Sequence, residues 1–131
     1  MENPNLVKSR VDNLSIVVDN FREVLKTKKI YDTATFLAVI LYKVYELGSL
    51  FGIDLEKTFD LVHASNMTKA CKNEQEAIDT VNYMKEKEPR YKEPTYKLSK
   101  DKRYWIVYDG ATGKTLKSKY YSAVDLSYIA K

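Results

Sequence analysis

The sequence predicts a mainly α domain with a small C-terminal β-hairpin. Three observations predict it. Apolar residues recur at helical spacing through most of residues 1–88. The one run with strand composition, Tyr104-Trp105-Ile106-Val107-Tyr108, comes after them. Four glycines and three prolines leave few places for turns, and most of them fall after residue 88.

Val7, Val11, Leu14, Val18, Phe21 and Leu25 alternate in steps of four and three, which predicts a helix from about Asn5 to Lys26. Lys8, Asp12, Asp19, Arg22 and Lys26 fall on its opposite face. Thr27-Lys28-Lys29 breaks the pattern. From Tyr31 to Phe51 apolar residues cover nearly the whole circumference, so this second helix belongs in a bundle centre or an oligomer interface. Gly52 stops it. Asp54 caps a third helix that runs to about Ser65, with Leu55, Phe59 and Val62 on one face. Asn73 with Glu76 starts a fourth helix, Glu74 to Lys87, whose buried stripe is Ala77, Val81 and Met84. Pro89 and Pro94 end the helical region. Residues 104–108 and 114–117 pair as a hairpin across Asp109-Gly110-Ala111-Thr112-Gly113. A short helix over Val124 to Ala130, capped near Ser122, closes the chain. The aromatics Tyr104, Trp105, Tyr108, Tyr120 and Tyr121 pack the hairpin on the bundle or offer rings to a base. The whole reads as one domain, 1–131, with a four-helix-type core over 1–88 and a hairpin-containing tail, 89–131, packed on it.

Composition narrows the function classes. A single cysteine, Cys71, excludes an internal disulfide framework and points to a reducing compartment. No apolar run approaches the roughly 18 residues of a membrane span, and the polar start Met1-Glu2-Asn3-Pro4-Asn5 has no signal-peptide core. The expectation is a cytoplasmic protein without a membrane partner. The net charge of +4 is uneven: 8 Lys/Arg against 9 Asp/Glu up to Met67, then 14 against 9 from Thr68. A basic, tyrosine-rich end meets phosphates or is simply a solvated lysine surface.

Several short segments, in order, carry a resemblance. They are Phe51-Gly52-Ile53-Asp54, Ser65-Asn66-Met67-Thr68-Lys69, Cys71-Lys72-Asn73-Glu74-Gln75-Glu76-Ala77, Gly113-Lys114-Thr115-Leu116-Lys117-Ser118 and Val124-Asp125-Leu126. Together they resemble the all-α nucleoside triphosphate pyrophosphohydrolases, the MazG and phosphoribosyl-ATP pyrophosphohydrolase-like group, in its phage and bacterial branch. The resemblance implies a helical bundle, a dimer or a tetramer built from dimers, and hydrolysis between the α- and β-phosphates of a nucleotide. It also implies Mg²⁺ held by a Glu-x-x-Glu pair and a Glu-x-x-Asp pair on successive helices. Aligned on the Gly52-Ile53-Asp54 turn, the first pair falls on Val17 and Asn20, the second on Asp32 and Thr35, and a further acidic position on Val39. Asp32 alone is acidic, and one carboxylate offers Mg²⁺ too few hard ligands. A one-residue shift does not restore the site, because Asp19 and Glu23 are four apart and Phe36 to Leu41 holds no acid.

The resemblance leaves Asn66, Lys69, Lys114 and Lys117 as candidates for binding a nucleotide through its phosphates without a metal. The plain alternatives are a helix C-cap for Asn66 and surface lysines for the rest. His63, without a second ligand nearby in sequence, reads as structural or exposed, and Cys71 has no partner that would make it a nucleophile. The expected function is that of a catalytically degenerate hydrolase-like protein. It acts by binding a protein partner, by self-assembly through helix 31–51, or by holding a nucleotide, with no cofactor and with no metal or catalytic residue. An active Mg²⁺-dependent pyrophosphohydrolase using Asp19, Glu23 and Asp32 is one alternative. A nucleic-acid-binding module in the basic C-terminal half is another. The Lys-, Asn- and Tyr-rich composition fits a phage or a low-GC bacterium.

Overall fold

A computed structural model describes residues 3–130. Met1 and Glu2, the first two residues of the polar start, lie outside the described residues, as does Lys131. The structure is mainly helical with a small three-stranded antiparallel sheet. The chain divides into two compact units, residues 1–58 and 59–131. The division falls inside the third helix.

The first unit is a helical hairpin. α1 spans Pro4–Lys26. Asn3 caps it by accepting from the Leu6 amide at 3.1 Å, and Pro4 occupies the first turn, where a missing N–H costs nothing. α2 spans Ile30–Leu50. It ends in a Schellman motif: Ile53 N–H donates to Gly48 O at 2.9 Å, Gly52 N–H donates to Ser49 O at 3.1 Å, and Gly52 takes φ +67°. Phe21 stacks on Phe36 with ring centroids 6.3 Å apart, and Arg10 reaches Glu46 at 3.8 Å. Both pairs have residue numbers summing to nearly the same value, so α1 and α2 run antiparallel. Gly48 is the one buried residue of this unit among those described. A bundle centre around α2 is therefore not what the chain builds.

α3, Leu55–Met67, starts with Asp54 accepting from the Lys57 amide at 3.0 Å. It runs two residues beyond the expected Ser65, and Phe59, which shares a face with Leu55 and Val62, is 68% exposed and stacked on His63. α4, Glu74–Lys87, is capped as expected: Asn73 Oδ1 accepts from the Glu76 amide at 2.9 Å, and Glu76 Oε2 accepts from the Lys72 amide at 2.8 Å.

The second unit holds the core. The expected hairpin is two strands of a larger sheet. β1 (Pro94–Leu98), β2 (Trp105–Asp109) and β3 (Thr115–Leu116) pair in that order. Tyr96, Val107 and Leu116 lie in one cross-strand row, which puts them on one face. That face meets α4, so Ala77, Val81 and Met84 pack with Cys71, Val107 and Leu116, and Tyr91, Tyr96 and Trp105 close the edges. The buried stripe of α4 is the one expected; the four-helix-type core is not, because the buried residues sit between one helix and the sheet. Of the five aromatics expected to pack the hairpin, Trp105 does so, edge-on to Tyr96 at 5.7 Å. The final helix is a single 3₁₀ turn, Ser127–Ala130, and its cap is Asp125, not Ser122.

Candidate binding surfaces

Two surfaces carry the sequence-predicted residues, one in each unit. In the second unit, Lys69 and Lys117 come together. The Ser118 amide donates to Lys69 O at 2.8 Å, which ties the segment after α3 to the segment after β3. Both ammonium groups then lie over the Tyr121 ring, Lys117 at 4.7 Å and Lys69 at 6.0 Å from its centroid. Lys117 also lines a cleft of about 380 Å³ with Lys114, Arg90, Tyr91 and Glu88. Over Tyr91 stand Arg90 at 4.8 Å and Lys114 at 5.4 Å. Glu88 pairs with Arg90 at 3.2 Å. Among the described residues, no carboxylate is within ion-pair distance of Lys69, Lys114 or Lys117.

The lysines rest on tyrosine rings, so their charge is left for an anion from outside. Asn66 is exposed, and its carbonyl accepts from the Lys69 amide at 3.1 Å in the turn that ends α3. That placement is a helix end, and the cleft does not include it. The sequence reading missed Arg90 and Tyr91. The signal was Pro89-Arg90-Tyr91, a cation beside a ring straight after a helix, but its partner Lys114 lies more than twenty residues on.

The charge is divided between the units. Residues 59–131 carry 14 Lys/Arg and 10 Asp/Glu, whereas residues 1–58 carry 8 of each. All of the net +4 belongs to the unit with the cleft.

In the first unit, the positions that the resemblance assigns to metal ligands lie on the hairpin. Val17 is half-buried; Asn20, Asp32 and Thr35 are exposed. Thr35 and Val39 line a groove of about 460 Å³ along α2 with Ala38, Tyr42, Lys43 and Glu46. The Thr35 hydroxyl donates back to Tyr31 O at 3.0 Å. Asp32 stands in the first turn of α2, where a negative charge is favoured by the helix dipole. Glu23, invoked for a rearranged site, is held by Lys26 at 3.0 Å. Among the described residues, no three His, Cys, Asp or Glu side chains converge as metal ligands would.

The rest of α2 is apolar and open. Tyr31 is 86% exposed, Tyr42 73%, Leu41 54% and Leu37 53%. α2 is the one helix among the described residues long and apolar enough, by length and composition, to cross a membrane. Asp32, Lys43 and Glu46 interrupt the run without dominating it. Glu46 Oε2 is buried and accepts no hydrogen bond. Arg10 at 3.8 Å and Lys43, 3.7 Å from the other oxygen, give it charge without a bond of proper length.

The chain is similar to a protein called Uncharacterized protein L479 of Acanthamoeba polyphaga mimivirus, 39% identical over 123 residues, which is 92% of this chain. The chain spans about half the length, 49%, of that curated relative. No family model matches the chain, and no solved structure matches it.

Proposed function

We propose that the protein is a catalytically degenerate nucleoside triphosphate pyrophosphohydrolase-like protein that acts by binding, and that its α1–α2 hairpin assembles with a second copy of itself. One observation carries the reading. Thr35 and Val39, which stand where the resemblance asks for acids, form walls of an apolar groove on α2. A surface of that kind repels a hydrated divalent ion and favours a protein face.

Three features support a second copy as the occupant. The hairpin is balanced in charge, so two copies do not repel. α1 is charged on its outer side and bears no buried residue, so it covers α2 on one side alone. Two hairpins packed together make a four-helix bundle, which would cover the remaining faces of α2. The similarity to a mimivirus protein supports a viral lineage.

Incubation with a panel of NTPs and dNTPs plus Mg²⁺ or Mn²⁺ is expected to give no monophosphate and no pyrophosphate. Light scattering is expected to give a multiple of the 15.2 kDa chain mass. Clear turnover would end the degenerate reading, and a strict monomer at micromolar concentration would end the self-assembly.

A further inference from the structure

The second unit presents a line of cations laid over aromatic rings, and its arrangement says more than that it attracts anions. We infer that the edge running from Arg90 and Tyr91 through Lys114 and Lys117 to Tyr121 and Lys69 binds the phosphate backbone of single-stranded nucleic acid. The inference does not rest on the hairpin's self-assembly or on the hydrolase resemblance.

The stations are two, and they are joined. Tyr91 carries Arg90 and Lys114, Tyr121 carries Lys69 and Lys117, and Lys117 also lines the Tyr91 cleft. Lys114 and Lys117 flank β3, so about 10 Å of extended chain separates their backbones. Positive charge is thus drawn out along the surface. A compact phosphate group is usually held by converging backbone amides or a helix N-terminus. Here the cleft is lined from α4 by Met84 in its last turn, with Glu88 just beyond, the helix end whose dipole opposes an anion. Glu88 offsets Arg90 in part as well. One tightly held phosphate is therefore disfavoured, whereas a chain of phosphates gains a little from each cation. The Arg90 guanidinium, exposed and lying over the half-buried Tyr91 ring, offers its outer face to an unpaired base, which a single strand exposes and a duplex does not. No side-chain set for reading base edges accompanies it, so the binding is sequence-tolerant.

The test is fluorescence anisotropy of a labelled oligothymidylate of about 20 nucleotides, at salt from about 50 to about 200 mM. The intact chain is compared with Lys114→Gln/Lys117→Gln and with Lys97→Gln. Lys97 lies over Tyr108, is not among the residues that line the cleft, and serves as a charge control. Four cations predict a log–log salt slope of about −3, and loss of two predicts about −1.5 with at least a tenfold weaker complex at low salt. Lys97→Gln is expected to change affinity less than twofold. Circular dichroism checks that each variant is folded. Four results would each overturn the inference: no binding at the lowest salt, an equal loss in Lys97→Gln, tighter binding of a duplex at the same phosphate concentration, or displacement by ATP as effective per phosphate as by unlabelled strand. The last would assign the edge to a free nucleotide instead.

Discussion

Thr68 holds Ser122 across 54 residues of sequence. The Ser122 amide donates to Thr68 Oγ1 at 2.9 Å, and the Thr68 hydroxyl donates to Ser65 O at 2.6 Å. Ser65 Oγ, in turn, donates to Ser122 O at 2.7 Å. The end of α3 thereby fixes both backbone groups of Ser122, and with them the neighbouring Tyr121 on which Lys69 and Lys117 rest.

Thr68→Val keeps the shape and removes the hydroxyl. It leaves the Ser122 amide without its acceptor, which is expected to cost about 1–2 kcal/mol. Urea denaturation should show a lower midpoint at unchanged slope, while Thr68→Ser stays near the parent. If Thr68→Val matches the parent, water satisfies Ser122 and the anchor contributes nothing.

Asp109 organises the turn between β2 and β3. Its carboxylate accepts from the amides of Ala111 at 3.0 Å and Glu93 at 3.1 Å. The Ala111 amide first, with Glu93, Lys92 and Thr112 assisting against burial, holds its pKa below the ordinary 3.8. A depressed carboxylate gives stability that is complete above its unfolded value and is lost as pH falls through the folded one. The parent should therefore lose stability below about pH 4. Asp109→Asn should be less stable at neutral pH and show a flatter decline over the same window in acid titration. A parallel decline in both proteins would remove Asp109 from the acid response.

How far the fold could be read from the sequence depended on whether the signal was local. The stripe of Ala77, Val81 and Met84, the Asn73–Glu76 cap and the Gly52 stop all lie within a few residues, and each stands as expected. β1 was not legible, because Pro94 and Lys97 make Pro94–Leu98 read as loop, and its pairing with residues 105–109 supplies the strand. The apolar circumference of α2 was plain, but hydrophobicity records that a face wants covering without naming the cover. The cleft was half legible. Lys114 and Lys117 are close in sequence, whereas Arg90 and Tyr91 join them through the fold alone.

Gly48 is buried where α2 turns toward α3, and a Cβ built on it would lie 2.5 Å from Leu55 Cδ1 and 2.6 Å from Leu55 Cγ. Alanine in a helix ordinarily gains about 1 kcal/mol over glycine. Here the clash decides the sign, because Leu55 must move as a whole and overpacking costs about 1–3 kcal/mol. Gly48→Ala is expected to lower the thermal midpoint. Adding Leu55→Ala should recover part of the loss, so the double variant is less destabilised than the sum of the singles. A stabilised Gly48→Ala would mean that the α2–α3 turn relaxes freely.

Leu41 tests the face of α2. It is 54% exposed, so in a lone chain Leu41→Glu touches solvent and should change stability by no more than about 0.5 kcal/mol. In a two-hairpin bundle the same change would bury a charge without a partner, at a cost of several kcal/mol. The two situations differ enough to separate by mass. Leu41→Glu should scatter light as a 15.2 kDa monomer with an unchanged circular dichroism spectrum, while the parent scatters as a multiple of that mass. Tyr31→Lys at the start of α2, 86% exposed, should weaken assembly less if the contact centres on the groove. A parent that is already monomeric, but floats with lipid vesicles until Leu41→Glu is introduced, would replace the second copy with a bilayer as the surface that covers α2.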